Sequence, residues 1–172
     1  MKLSPFFNDL SSSYAYEIED LTYDSGGDDV LKSRLKDKRD QFAGLLPMCE
    51  SFPVMVVPAF HDGFRFTDTA LLDQLVGAQP GAFPAWSAVA AALEMEPWAA
   101  KLAHLALPGP GGEQFMLIAA GLEYILSKLG ATAAAGGADA GTEEEEEIDP
   151  DDEDLGEAGE DFLNEQGFDR RS

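Results

Sequence analysis

The hydrophobic and polar positions divide this chain into an apolar middle and two polar ends. The apolar run covers residues 64–129 and includes both tryptophans, Trp86 and Trp98. A charged segment precedes it and an acidic segment follows it. Because folding requires apolar surface that can be buried, this run is expected to supply most of the core. The sequence therefore predicts a mainly α protein, a compact bundle of about five helices followed by a disordered acidic tail.

Apolar residues recur at helical spacing in five segments between residues 28 and 130, which predicts five amphipathic helices. The first begins at Asp28 or Asp29 and runs to about Leu46, where Pro47 ends it. The other four are bounded by proline, glycine and capping residues. They run from Thr67 or Asp68 to Val76, from Pro84 to about Met95, from Pro97 towards the break at Pro108, and from about Glu113 to Leu129, with Gly130 as the stop of the last one.

Two short segments between the first two predicted helices carry a β pattern instead. Residues 54–57 are apolar, rich in valine and bracketed by prolines, which favours an extended segment. Residues 64–66 alternate between apolar and polar positions, and residues 61–63 are typical of a turn. This arrangement allows a short β-hairpin near residues 53–66.

The N-terminal segment, residues 1–27, is expected to be a lead-in to the domain. Tyr14, Tyr16 and Ile18 alternate with polar residues, which favours a short strand. The same residues would also fit one turn of helix. A Gly26-Gly27 pair then separates this segment from the globular domain predicted at residues 28–130.

The C-terminal end changes composition twice. Residues 131–142 are rich in alanine and glycine and predict a flexible linker. Residues 143–172 are dominated by acids, and repulsion among like charges predicts a disordered tail. Apolar residues return near its end at Phe162, Leu163 and Phe168, which indicates a linear motif that folds on a partner.

The formal net charge of -22 is the most extreme property of the sequence. Residues 143–172 carry -13 of it, from fifteen acids and two arginines, so the other 142 residues carry -9. A field of this sign repels phosphate backbones and anionic lipids. Direct nucleic-acid and membrane binding are therefore not expected, and a basic protein is the expected partner. The predicted partner-binding residues are Glu143, Glu144, Glu145, Glu146, Glu147, Asp151, Asp152, Asp154, Phe162, Leu163 and Phe168.

Basic residues are concentrated in the first predicted helix, which holds five of the eleven in the chain. These residues are Lys32, Arg34, Lys36, Lys38 and Arg39. They could form the solvated face of an amphipathic helix. The alternative is a docking site for the acidic tail of the same chain or for an acidic partner.

The sequence offers few residues with catalytic or metal-binding chemistry. The acids at 149–154 resemble a calcium loop in spacing, but Asp154 stands where the sharp turn of that loop needs glycine. We therefore predict no metal and no cofactor. The single cysteine, Cys49, permits no intrachain disulfide and fits a cytoplasmic protein, and its expected role is that of a buried apolar residue.

Taken together, these features predict a non-enzymatic acidic interaction protein, in the sense of an adaptor, chaperone or inhibitor. A small enzyme that depends on Cys49 and His61 is the alternative, and it requires the two side chains to meet in a cleft. Trp86 and Trp98 are expected in the core. If they were exposed together, they would instead mark a partner groove.

Overall fold

The computed structural model of this chain describes residues 1–23 and 28–137. This part is mostly helical, with one small antiparallel pair of strands, so the predicted mainly α class is confirmed. Residues 1–135 form one compact unit. In chain order the first elements are α1 (Pro5–Tyr23), α2 (Asp28–Asp40), α3 (Phe42–Leu45), α4 (Met48–Ser51), α5 (Pro53–Val56), a 3₁₀ turn (Val57–Phe60) and β1 (Phe64–Phe66). They are followed by α6 (Thr69–Gly77), a 3₁₀ turn (Pro80–Ala82), α7 (Trp86–Ala91), β2 (Leu93–Met95), α8 (Pro97–Ala106) and α9 (Gly112–Gly137).

The centre of the fold is helix α9. Every residue from Phe115 to Ile125 is buried, so the other elements cover this helix on all sides. The sequence had predicted an amphipathic helix, buried on one face only. The stop predicted at Gly130 is wrong, because the helix continues to Gly137. Open space surrounds Gly130 and alanines follow it, so neither packing nor helix propensity opposes continuation. The linker predicted from residue 131 is correspondingly helical up to residue 137.

The long apolar segment of α9 also has the dimensions of a membrane span. In the described part of the chain, Gly112–Ala135 is the one helical stretch that is long and apolar enough to cross a bilayer. In this structure 61% of its most apolar window is buried inside the protein. A buried core helix can have the same length and composition as a membrane span, and in this structure the helix packs inside the protein.

Residues 14–18 belong to helix α1. The strand favoured for them is therefore wrong, and the structure agrees with the helical alternative. Ser4 accepts a hydrogen bond from the backbone N–H of Phe7, and Pro5 occupies the first turn, so the helix begins with ordinary capping residues. Phe7 and Tyr14 are seven residues apart, lie on one face and are buried in the core. The segment predicted as a lead-in thus contributes to the core.

Residues 42–60 form short helical turns rather than one helix and a strand. The first predicted helix ends at Asp40 instead of Leu46, and three four-residue helices follow it. Pro47, Pro53 and Pro58 stand at or next to the starts of successive turns, where a missing N–H costs nothing. The extended segment predicted at residues 54–57 is therefore wrong: the prolines begin helical turns there.

The small sheet joins segments far apart in the sequence. Strand β1 is present at residues 64–66, as expected, but it pairs with β2 rather than with residues 54–57. Phe64 lies opposite Met95 and Phe66 lies opposite Leu93. The helix predicted to run from Pro84 to Met95 accordingly ends at Ala91. Glu96 precedes a proline, which favours extended backbone at this end of β2.

The two tryptophans are part of the packed structure, as the first of the two interpretations predicted. Trp86 is buried, and Trp98 is half-buried against the core. Helix α8 buries Ala99, Leu102 and Ala106 as well, whereas Leu105 of the same helix is exposed. A single groove made by two exposed tryptophans is thus absent from the described residues.

Candidate functional site

A buried carboxylate lies at the centre of the fold. Glu123 is in the fully buried part of α9, and its side chain is only 7% exposed. The carboxylate accepts hydrogen bonds from the hydroxyl of Tyr14, from Nδ1 of His61 at 3.1 Å and from the backbone N–H of Asp62 at 3.2 Å. A buried charge is tolerated only when such donors satisfy it. We call Tyr14, His61, Asp62 and Glu123 the Glu123 network.

The turn at residues 61–63 directs two of these donors towards Glu123. Asp62 has a φ of 61°, a left-handed conformation that aspartate adopts more readily than most residues. A Cβ on Gly63 would lie 2.8 Å from the Cβ of Ala99 and 2.9 Å from the ring of Trp98, so only glycine fits there. The turn that the sequence predicted here is therefore confirmed, and close packing against α8 fixes its position.

Arg39 of α2 holds the same turn from the other side. Its Nε donates to the carbonyl oxygen of Ala59 and its Nη2 donates to the carbonyl oxygen of His61, both at 2.9 Å. The guanidinium carbon lies 3.7 Å from the centroid of the Trp98 ring, which is a cation–π contact. Burial lowers the pKa of Arg39, although an arginine so placed remains charged at neutral pH.

Burial and charge shift the pKa values of the two titratable donors. Burial raises the pKa of Tyr14 well above its ordinary value, and the charge of Glu123 raises it further. For His61, burial by itself lowers the pKa. The hydrogen bond to Glu123, together with the charges of Glu123 and Asp62, outweighs that effect, so the pKa of His61 lies above its ordinary value. The network therefore favours a neutral tyrosine and a protonated histidine.

The same cluster contains three side chains of metal-ligand type. One ligand atom from each of His61, Asp62 and Glu123 lies within 4.8 Å of the others. The nitrogen and oxygens of His61 and Glu123 are, however, already hydrogen-bonded to each other, to Tyr14 and to a backbone N–H. A metal ion would have to replace these bonds beside the cation of Arg39. In the described geometry these ligand atoms therefore belong to a hydrogen-bond network.

Cys49 lies elsewhere in the core. Burial raises the pKa of its thiol, which reduces the thiolate that a nucleophile requires. In the described part of the chain no hydrogen bond joins it to His61, whose Nδ1 faces Glu123 and whose Nε2 lies 3.6 Å from Asp62. His104, the other histidine, is exposed on α8. The described residues therefore provide no observation in favour of the cysteine/histidine enzyme.

The basic residues of α2 are used largely inside the fold. Lys38 donates to the carbonyl oxygen of Met55 at 2.9 Å and pairs with Glu17 at 3.4 Å. Arg34 donates to backbone carbonyls near the end of α1, and Arg39 holds the turn described above. Lys32 and Lys36 remain exposed. Three of the five predicted docking residues thus face the protein, and the tail proposed to contact them lies outside the described residues.

The exposed charges of the described residues are consequently mostly negative. Thirteen acids are exposed against six lysines and arginines. The acids are Asp9, Glu19, Asp20, Asp29, Asp37, Asp40, Glu50, Asp62, Asp68, Asp73, Glu94, Glu96 and Glu113. The bases are Lys2, Lys32, Lys36, Arg65, Lys101 and Lys128. The folded unit itself, without residues 143–172, presents an anionic surface.

The outer face of α1 combines two of these acids with two exposed aromatic rings. Tyr16, Glu19, Asp20 and Tyr23 follow one another at spacings of three, one and three residues, and together line a shallow depression of about 270 Å³. The sequence interpretation missed this face, because it favoured a strand for the alternating tyrosines. The signal was present in the sequence as a helical repeat of aromatic and acidic positions.

The partner-binding residues predicted from the sequence lie outside the described residues. All eleven are in the segment after residue 142, so their role stays a prediction. Comparison with known proteins adds no homologue: no protein-family model, no curated protein and no solved structure matches this chain. The chain's own surface and charges are therefore the basis for proposing a function.

Proposed function

We propose that this protein is a non-enzymatic acidic interaction protein, an adaptor, chaperone or inhibitor, that binds a basic protein partner. Binding would use the anionic surface of the folded unit and the acidic segment 143–172. Opposite charge would steer the two proteins together, and Phe162, Leu163 and Phe168 would then be buried on the partner.

The observation that supports this proposal is the separation of charge between the inside and the surface. Arg34, Lys38 and Arg39 donate hydrogen bonds to backbone carbonyl oxygens of the fold. Lys38 also pairs with the carboxylate of Glu17. The exposed surface of the described residues has about twice as many acids as bases. An anionic potential of this kind raises the association rate with cationic proteins and repels polyanions.

The proposal is tested by the association kinetics of the full chain with defined probes. Lysozyme serves as the basic protein, and a short DNA duplex serves as the polyanion. We expect fast association with lysozyme at about 20 mM salt, a rate several-fold lower at about 200 mM salt, and no binding to DNA. Association with lysozyme that is slow and independent of salt would overturn the proposal, as would binding to the duplex.

The role of the acidic segment is tested in the same assay. Replacing Glu143, Glu144, Glu145, Glu146 and Glu147 together by glutamine removes five charges while keeping the full chain and the shape of each side chain. The association rate at low salt should fall several-fold, and the difference should disappear at high salt because screening removes it. An unchanged rate at low salt would show that this segment has no part in steering.

A further inference from the structure

The outer face of α1 is unusual because its aromatic rings are left in solvent. Tyr16 is 73% exposed and Tyr23 is 83% exposed, which makes them the most exposed of the large apolar side chains that the structure describes. Burying an aromatic ring is among the larger contributions of any side chain to folding or binding. Two rings left exposed on one helix face therefore indicate a surface that is completed by a partner.

The spacing of these residues defines what the face can bind. Tyr16 and Tyr23 are seven residues apart, which is two helical turns, or about 10 Å along the axis. Glu19 and Asp20 lie between them on the same face, so each ring has a carboxylate beside it. We call these four residues the α1 acidic–aromatic face.

The opposite side of α1 is held firmly in the fold. Tyr14 donates to the buried Glu123, and Glu17 pairs with Lys38 of α2. Phe7 is fully buried against Gly121 of α9. Because α1 is fixed in this way, its outer side chains are presented on a rigid support, which lowers the entropy lost on binding.

We propose that the α1 acidic–aromatic face binds an arginine-bearing segment of a basic protein. A guanidinium group can donate two parallel hydrogen bonds to a carboxylate and stack on a tyrosine ring at the same time. A lysine ammonium cannot form this planar fork. The protein contains a related arrangement, in which Arg39 stacks on the ring of Trp98 while donating to two backbone carbonyl oxygens. This inference rests on the proposed function and names the class of residue that the surface recognises.

The test compares variants of the full chain in their affinity for octa-arginine and octa-lysine peptides. The first face variant is Tyr16→Ala with Tyr23→Ala, and the second is Glu19→Gln with Asp20→Asn. All four side chains lie at the surface, so far-ultraviolet circular dichroism should show unchanged helix content. We expect each variant to bind octa-arginine about ten-fold more weakly than wild type, and wild type to prefer octa-arginine over octa-lysine.

Matched controls separate this face from the general negative charge. Glu50→Gln with Glu113→Gln removes two exposed charges from α4 and α9, and Phe52→Ala removes another exposed ring. These controls should weaken binding no more than about two-fold, as expected for exposed charges acting at a distance. Equal losses in face and control variants, or equal affinity for the two peptides, would overturn the inference while leaving the proposed function intact. Failure of wild type to bind either peptide would contradict both.

Discussion

Tyr14 and Tyr16 show how strongly the environment of a side chain depends on its place on a helix. The two tyrosines are separated by one residue, yet Tyr14 is buried and bonded to Glu123 while Tyr16 is mostly exposed. A turn of 100° per residue takes them to opposite sides of α1. Their hydroxyl groups therefore contribute very differently to stability.

This difference gives a matched pair of substitutions. Tyr14→Phe leaves the buried carboxylate of Glu123 without one of its donors, and we expect it to lower the free energy of unfolding by about 1–3 kcal/mol. Tyr16→Phe removes the same atom from an exposed ring and should change that free energy by less than about 0.5 kcal/mol. Urea denaturation followed by circular dichroism measures both. Similar values for the two variants would show that the Glu123 network does not stabilise the fold.

The raised pKa of His61 predicts how stability depends on pH. A histidine whose pKa is higher in the folded protein than in the unfolded chain stabilises the fold fully below its ordinary value of about 6.5. That stabilisation is lost as the pH rises through the raised pKa. The free energy of unfolding should therefore fall as the pH rises above about 6.5, and it should fall more in wild type than in His61→Asn. Parallel curves for the two proteins would contradict a protonated His61 in the network.

The Glu123 network could be predicted only in part from the sequence. The turn at residues 61–63 was predictable, because its residue types favour a turn locally. Glu123 was not, since one carboxylate in a helix of apolar residues is usually assigned to the solvent side. Its donors lie 62 and 109 residues away along the chain. No local sequence pattern indicates partners at such distances.

At the level of elements, helices α1 and α9 pack closely against each other at Gly121. The ring of Phe7 lies so close to Gly121 that a Cβ there would be 2.4 Å from Cε1 and 2.5 Å from Cζ. Phe7 is fully buried and has little room to move. The two helices can therefore approach each other only because residue 121 has no side chain.

A second matched pair tests this contact. Gly121→Ala forces the ring of Phe7 to shift and should lower the free energy of unfolding by about 1–3 kcal/mol. Gly130→Ala lies in the same helix with open space around it and should raise that free energy by up to about 1 kcal/mol, because alanine favours helix. Thermal and urea denaturation of both variants provide the measurement. A stabilised Gly121→Ala would show that α1 does not pack on α9 in this way.

Elements with local signals were predictable, and elements fixed by distant contacts were not. Helix α6 begins after Asp68, whose side chain accepts from the N–H groups of Ala70 and Leu71, and such a cap is visible in the sequence. The residues of strand β2 had been predicted as part of a helix, because the alanine-rich segment before them favours helix. Their pairing partner, β1, is about thirty residues away in the sequence. Pairing of that kind follows from the tertiary structure.

At the scale of the whole molecule, composition and periodicity were sufficient for the mainly α class. They were insufficient for the extent of the compact unit, which begins at Met1. They were insufficient also for the distribution of charge. Helix α2 contains five basic residues, but three of them form internal contacts with groups that are distant in the sequence and close only in the fold. The surface is thus more anionic than the sequence of that helix suggests.

The contact between α1 and α9 has a consequence for synthesis in the cell. Tyr14 leaves the ribosome 109 residues before Glu123 does, a delay on the order of ten seconds at ordinary translation rates. During that interval the apolar side of the first helix has no native neighbour to cover it. The nascent polypeptide therefore completes its hydrophobic centre only when nearly the whole compact unit has emerged, and until then it depends on its own acidity, or on an attending chaperone, to avoid aggregation.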